Sequence, residues 1–284
     1  METRIGMLFP QGKERAVTLS YDDGFTHDRK LVELLNQYGL KCTFNLNSGL
    51  FGTGGEGTYQ GKPLEFLRIT GEEAATLYQG HEVAGHGLHH CSLTSVPGGV
   101  AMEEIVEDKR RLEELTGQVV RSFAYAYGDF DARAVELLGA AGYASARTVV
   151  STGRFDIPQD FLTWPATCHH DDPRLMELVE EFLAPIHPGD RNRARLFYLW
   201  GHSFELAGNG NWEVVERFAQ RMAAKGQDLW FATNGEIVEY VTAYRRLEWS
   251  ADGSRVRNPS ALEVWVLANV KTVSIPGGAC VALS

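Results

Sequence analysis

The chain has 284 residues, 44% of them hydrophobic, with 27 Lys and Arg against 37 Asp and Glu for a net charge of −10. This length suits one large domain or a domain with an appendage. No Lys/Arg run stands out, which argues against a nucleic-acid partner or an anionic membrane surface, and no apolar run is long enough to span a bilayer. Met1–Glu14 lacks the basic, apolar and small-residue segments of a signal peptide. Cys42, Cys91, Cys168 and Cys280 lie far apart without a Cys-x-x-Cys pair, so the expectation is a cytoplasmic protein with reduced thiols.

Strand-like and helix-like segments alternate along the chain. Val17–Asp23 has the alternation of a short buried strand, and Asp22-Asp23-Gly24 stops it. A helix over Asp28–Tyr38 carries Leu31, Leu34 and Leu35 on one face and is closed by Gly39. Cys42–Asn47 is the second strand, Gly49–Pro63 a glycine-rich insertion in which Gly52–Gly57 is expected to form a mobile rim of the cleft, and Thr70 caps a helix over Gly71–Gln79. His81–Gly85 reads as strand, Ala101–Leu115 as an amphipathic helix, Val119–Ala126 as strand, Ala132–Ala141 as helix, and Tyr143–Val150 and Phe161–Thr167 as strands. Asp171-Asp172-Pro173 predicts an acidic cap with proline opening a helix over Arg174–Pro185. Arg195–Gly201 is strand, Trp212–Ala224 helix, Leu229–Thr233 strand and Glu236–Leu247 helix.

This alternation predicts a parallel β/α architecture, a distorted barrel of seven or eight strands occupying residues 1–246. Leu262–Ala268 and Lys271–Ile275 instead alternate like antiparallel strands, so 247–284 reads as a small β-rich appendage. Gly52–Gly57 lacks the Gly-Lys-[Ser/Thr] ending of a phosphate loop.

Asp22, Asp23, His86, Tyr127 and His202 all fall just after strand-like runs, where a β/α barrel gathers its functional groups. Adjacent carboxylates on a strand face opposite ways unless the chain turns there; if it turns, one can bind a cation while the other takes a proton. Otherwise the pair is a solvated turn or a cap for the helix near Asp28. His86 and His90, four apart, share one face if the segment is a helical turn and can then aim at one ion. His89 is a rival partner, and a pair of hydrogen-bonded histidines is the alternative. With Asp23 the set is two nitrogens and one oxygen, a facial set that leaves positions open for water and substrate.

Tyr-Asp-Asp-Gly after a strand followed by His86-x-x-x-His90 resembles the first two motifs of the polysaccharide deacetylases, the NodB-homology carbohydrate esterases. The resemblance implies a distorted, incomplete (β/α) barrel, with Asp22 as general base and Asp23, His86 and His90 as metal ligands. Phe123–Gly128 stands where the family has Arg-x-Pro-Tyr-Gly. Tyr127-Gly128 matches, implying a Tyr127 backbone N–H for the oxyanion, whereas the arginine and proline positions are Ala124 and Ala126. Some other cation or water must then hold Asp22, or its pKa is higher than is usual in the family. The run Phe197–His202 resembles the family's Leu-x-His motif, making His202 the candidate general acid. The fourth motif, an Asp–Trp pair that orients this histidine, has no clear match. Trp164 and Cys168–Asp172 lie in the right interval, Asp171 and Asp172 being read as helix caps, and Glu205 is the candidate orienting carboxylate by proximity. Trp200 and Tyr125 are weaker candidates for substrate contact, with aromatic core packing as the other reading of Tyr125 and Tyr127.

The implied activity is metal-dependent hydrolysis of an acetyl group from an N-acetylated sugar or polysaccharide. Zinc is favoured by ligand type, with cobalt, nickel, manganese and iron accepting the same set. An O-acetyl esterase, a small-amide hydrolase and a carbohydrate-binding protein without catalysis are the alternatives. The sequence specifies no oligomeric state.

Overall fold

The computed structural model describes residues 5–187 and 193–283. The first four residues of the Met1–Glu14 stretch and the last residue of the 247–284 tail lie outside them. The elements in chain order are β1 (Ile5–Leu8), β2 (Arg15–Asp22), α1 (Asp28–Gln37), β3 (Thr43–Leu46), β4 (Gly54–Tyr59), β5 (Lys62–Leu67), α2 (Gly71–Leu77), β6 (Glu82–Gly85), α3 (Gly98–Thr116), β7 (Ser122–Ala124), α4 (Ala132–Ala140) and β8 (Ser145–Ser151). They continue with β9 (Trp164–Ala166), β10 (Cys168–His169), α5 (Leu175–Leu183), β11 (Arg195–His202), α6 (Ser203–Asn209), α7 (Glu213–Ala223), β12 (Leu229–Phe231), α8 (Asn234–Arg245), β13 (Glu248–Trp249), β14 (Arg255–Arg257), β15 (Val264–Ala268), β16 (Lys271–Ile275) and β17 (Cys280–Ala282).

The main sheet is parallel throughout and runs β10-β11-β2-β3-β6-β7-β8-β9, with β12 also paired to β2. Its two ends are one stretch of chain. β9 pairs with β8, β10 pairs with β11, and between them Thr167 donates to the Tyr198 carbonyl at 2.9 Å. The sheet thereby closes on itself as a distorted (β/α) barrel. β2 is its central strand and is buried on both faces, as expected where helices cover the outside and side chains fill the inside.

The alternation of strand and helix read from the sequence is present, and local signals set several boundaries. Thr70 Oγ1 accepts from Glu73 N at the start of α2, and Gly117 ends α3 in a left-handed conformation. Other expectations need correction. The glycine-rich insertion is a two-stranded hairpin, β4–β5, bonded into the loop after β2 through Thr26 N to Leu67 O at 2.8 Å and Ile69 N to Gly24 O at 2.9 Å. α5 begins at Leu175, two residues beyond Pro173; Asp172 accepts from Arg174 N at 2.8 Å, while Asp171 turns toward His170 instead of capping. The short helix α6 directly after His202 and the short strand β10 were not foreseen.

The tail is β-rich, and it takes in the N-terminal strand. β1 pairs antiparallel with β15, which pairs with β16, while β13, β14 and β17 form a second small sheet. A shared apolar cluster of Met7, Phe9, Trp164, Tyr240, Val264 and Val266 joins these strands to the barrel wall. Tyr240 on α8 links them directly: its hydroxyl donates to Leu8 O at 2.7 Å and accepts from Trp265 N at 2.9 Å. Tyr240→Phe leaves both backbone groups without that partner, and it is expected to lower unfolding stability by about 1–3 kcal/mol. Urea denaturation checks this; an unchanged midpoint would show that the hydroxyl is dispensable to the seam.

Candidate active site

The site lies at the carboxyl ends of β2, β6, β7 and β11. Parallel register sets Asp22 beside His202 on one side and beside Asn45 on the other. Asp23 has a positive φ of 79° and Gly24 one of 65°. Asp tolerates this left-handed conformation better than most side chains, and a Cβ at Gly24 would stand 2.8 Å from a Leu46 methyl. The pleat is broken at the Asp pair, and both carboxylates face one cleft.

His86 and His90 join them by a different route from the one the spacing suggested. The segment is a non-helical turn in which Gly87 has φ 82° and His90 φ 58°. His86 Nδ1 lies 2.8 Å from the Ala124 carbonyl, so this nitrogen carries the proton and the Nε2 lone pair faces the Asp pair. His90 Nε2 is 3.5 Å and His86 Nε2 4.0 Å from Asp23 Oδ1. That oxygen is buried and accepts no hydrogen bond, though the Arg68 guanidinium stands 3.6 Å away. His89, the rival, is taken up elsewhere: its Nδ1 lies 2.7 Å from Glu104 Oε1. One buried carboxylate oxygen with no hydrogen bond and two imidazole nitrogens gathered beside it fit a divalent cation.

The motif arginine that the sequence lacks at Ala124 is replaced from the next strand. Ala124 on β7 pairs in register with Arg147 on β8. The Arg147 guanidinium is ion-paired with Asp22 Oδ2 and stacks over the Trp200 ring at 4.2 Å. Asn45 donates to Asp22 Oδ1 at 2.8 Å. Burial pushes the Asp22 pKa up, but Arg147 first, then His86, His202 and Asn45, outweigh it and hold the carboxyl below its ordinary value. Asp22 Oδ2 is 3.8 Å from both His86 Nε2 and His202 Nε2.

His202 is held on its far side by Glu205, whose Oε2 lies 3.1 Å from Nδ1 as an ion-pair contact and also accepts from the His202 backbone N–H. Burial lowers the His202 pKa, and Glu205, Asp22 and Asp23 more than offset it, raising it to about 9. Tyr127 is 66% exposed, with φ 59°, and its ring stands 4.6 Å from that of His90. Trp200 walls the cleft between Arg147 and His169. Tyr125 does not reach it: its ring is buried against Phe123 and Phe130, and its hydroxyl donates to Leu162 O, so it belongs to the core.

Arg147, Asn45 and Arg68 were not singled out from the sequence. The usable signal was Arg147 itself, a full charge within the apolar strand Tyr143–Val150, which demands a buried counter-ion.

Residues 10–146 match the family model described as polysaccharide deacetylase. A chitin deacetylase from Pestalotiopsis sp is 24% identical over 143 residues, covering 50% of this chain and 44% of that protein. The match therefore spans less than half the length of that curated relative. A Mycobacterium smegmatis structure described as a polysaccharide deacetylase superposes with a TM-score of 0.59 at 18% identity, covering 84% of this chain and 93% of that one. A carbohydrate esterase family 4 pseudoenzyme from Bacillus anthracis gives 0.50 at 16% identity, over 81% of this chain and 66% of that one. At these identities the likeness is one of fold.

Arg147→Met leaves Asp22 buried without its cation, and on metal-free protein it is expected to cost about 3–5 kcal/mol at neutral pH. In the parent chain the depressed Asp22 pKa supplies stability above the ordinary carboxylate range, which is lost as the pH falls. In the variant the carboxyl is pushed up and prefers its proton, so the gap between the two chains narrows on acidification. Denaturation at pH 7 and pH 5 measures this; a gap independent of pH would place the cost outside the Asp22 pair.

Proposed function

We propose, on the match of residues 10–146 to the polysaccharide deacetylase family model, that the chain hydrolyses the acetyl group of an N-acetylated sugar or polysaccharide with the help of one divalent metal ion. The observation that carries this reading is the convergence of Asp22, Asp23, His86, His90 and His202 from separate strand ends within about 4 Å contacts. Asp23, His86 and His90 are the ligands in this reading, with zinc favoured and cobalt, nickel, manganese and iron accepted by the same donors. When bound, the ion polarises the acetyl carbonyl and lowers the pKa of the attacking water.

Asp22 takes the proton of that water. Its ion pair with Arg147 keeps it ionised and fixed, although the same pair makes it a weaker base than a free carboxylate. In this reading the Tyr127 backbone N–H serves the oxyanion that develops on the carbonyl. His202, raised to about 9, is an imidazolium at neutral pH and gives its proton to the amine as the C–N bond breaks. Glu205 on Nδ1 holds the ring in register with Asp22. The exposed Tyr127 ring beside His90 offers a flat apolar surface next to the reacting centre, which suits a sugar face, whereas Trp200 is buried beneath the Arg147 guanidinium.

Arg147 also bears on the alternative of a carbohydrate binder without catalysis. The missing motif arginine and the missing fourth motif favour that reading, and a cation on Asp22 answers the first of them. An O-acetyl esterase and a small-amide hydrolase use the same parts and differ in the leaving group.

The test is hydrolysis of N-acetylated chito-oligosaccharides against O-acetylated xylan by zinc-reconstituted protein. Preference for the N-acetyl substrates is expected. Asp22→Asn and His202→Ala should each lower kcat by about 10²–10⁴-fold, whereas His86→Ala should lose the zinc itself. Near-parent turnover in metal-loaded Asp22→Asn would remove Asp22 from the base role.

A further inference from the structure

We propose that His169, His170, Asp171 and Glu205 form a second divalent-metal site, on the opposite side of His202 from Asp23, His86 and His90. One donor atom from each of the four lies within 4.8 Å of all the others. Glu205 Oε2 is 3.1 Å from His169 Nε2 and 3.4 Å from His170 Nε2, and Asp171 Oδ1 is 3.4 Å from His170 Nε2. Donors about 2.0–2.1 Å from a tetrahedral zinc sit roughly 3.4 Å from one another, so these three separations are those of a coordination shell, and the other pairs need to close by little more than an ångström.

His170 is the observation that points to a ligand. Its side chain is fully buried, and its Nε2 makes no hydrogen bond although it is aimed between the two carboxylates. The other ring nitrogen is 3.2 Å from the Tyr21 hydroxyl, and the ring stacks on that of Tyr21. An ion between Nε2 and the two carboxylates would supply the partner that Nε2 lacks. The ring also occupies space that only glycine leaves: a Cβ at Gly201 would lie 2.0 Å from His170 Nδ1.

His169 completes the set at the price of a proton shift. Its Nδ1 accepts from Asp171 N at 3.1 Å, which puts its proton on Nε2 toward Glu205. To ligate through Nε2 the ring must carry that proton on Nδ1 and release the Asp171 N–H. His170, Asp171 and Glu205 are therefore the first three ligands and His169 the fourth. Two carboxylates and two neutral imidazoles neutralise a divalent ion and favour the zinc, cobalt and nickel class over calcium or magnesium. A cavity of about 230 Å³ bounded by His170, Asp171, Asp172, Met176, Asn211 and Arg217 gives an entry path.

The test is metal content. Metal-stripped protein is equilibrated with Zn²⁺, freed of excess by gel filtration and measured by plasma mass spectrometry, with circular dichroism to confirm folding. Two ions per chain are expected for the parent protein and one for His170→Gln. Asp171→Asn, an exposed position that does not depend on a buried substitution being tolerated, should also give one. Asp23→Asn should retain one ion, and the Asp23→Asn/Asp171→Asn double variant none. One ion in the parent protein, kept in His170→Gln and Asp171→Asn but lost in Asp23→Asn, overturns the second site. One ion lost in Asp171→Asn and kept in Asp23→Asn upholds it while removing the metal assignment in the proposed catalytic site.

Discussion

The pairing of Asp22 with Arg147 is the constraint on which the rest of the site depends. A carboxylate with almost no solvent access at a barrel's mouth is stable as an anion only beside a cation, and desolvating two charges is favourable only when their geometry is good. Here the geometry comes from the sheet. β8 presents the guanidinium, β2 the carboxylate and β11 the Trp200 ring beneath the guanidinium, so three strands must be in register for the pair to form. The charge of Asp22 is thereby tied to barrel closure, since across the seam β8 is joined to β11 through the stretch that forms β9 and β10.

Much of the barrel was legible because its signals are local. Alternating apolar residues, Thr70 at a helix start and glycines at helix ends report conformations within a few residues of themselves. The ends of strands were legible for the same reason, and the candidate site followed from them. What stayed hidden was register. That Arg147 answers the gap at Ala124 depends on which residue of β8 lies beside which residue of β7, and nothing within either strand states this. The pairing of β1 with β15, across nearly the whole chain, was hidden in the same way. Tyr125 was misread for a related reason: an aromatic side chain at a strand end is apolar enough for the core and polar enough for a cleft, and only the Leu162 carbonyl decides.

The His86–His90 pair gives a second lesson. Four-residue spacing suggested helix geometry, but convergence comes from positive-φ positions at Gly87 and His90. Asp23 sits in the same left-handed region, so both halves of the proposed ligand set are held by conformations that are uncommon outside Gly, Asn, Asp and His. Such strain persists only where surrounding bonds over-determine it. Asp23 N bonded to Asn45 O, His86 N to Leu46 O and Asn47 Nδ2 to the carbonyls of His86 and Gly87 are those bonds. β3 is therefore the clamp between the two halves, although it lends no ligand.

The same reasoning separates His169 and His170 from ordinary core histidines. A core imidazole usually has both nitrogens satisfied, because a buried polar atom without a partner is costly. His170 satisfies one and leaves the other between two carboxylates, with a glycine at position 201 making the room. Glu205 meanwhile accepts from the His202 backbone and faces the His202 ring with the oxygen that also faces His169 and His170. That one carboxylate oxygen stands within 3.4 Å of four nitrogens. Whatever neutralises the His170 side of Glu205 therefore changes how strongly it holds His202, so the chemistry at the cleft and the cluster behind it are coupled through a single side chain.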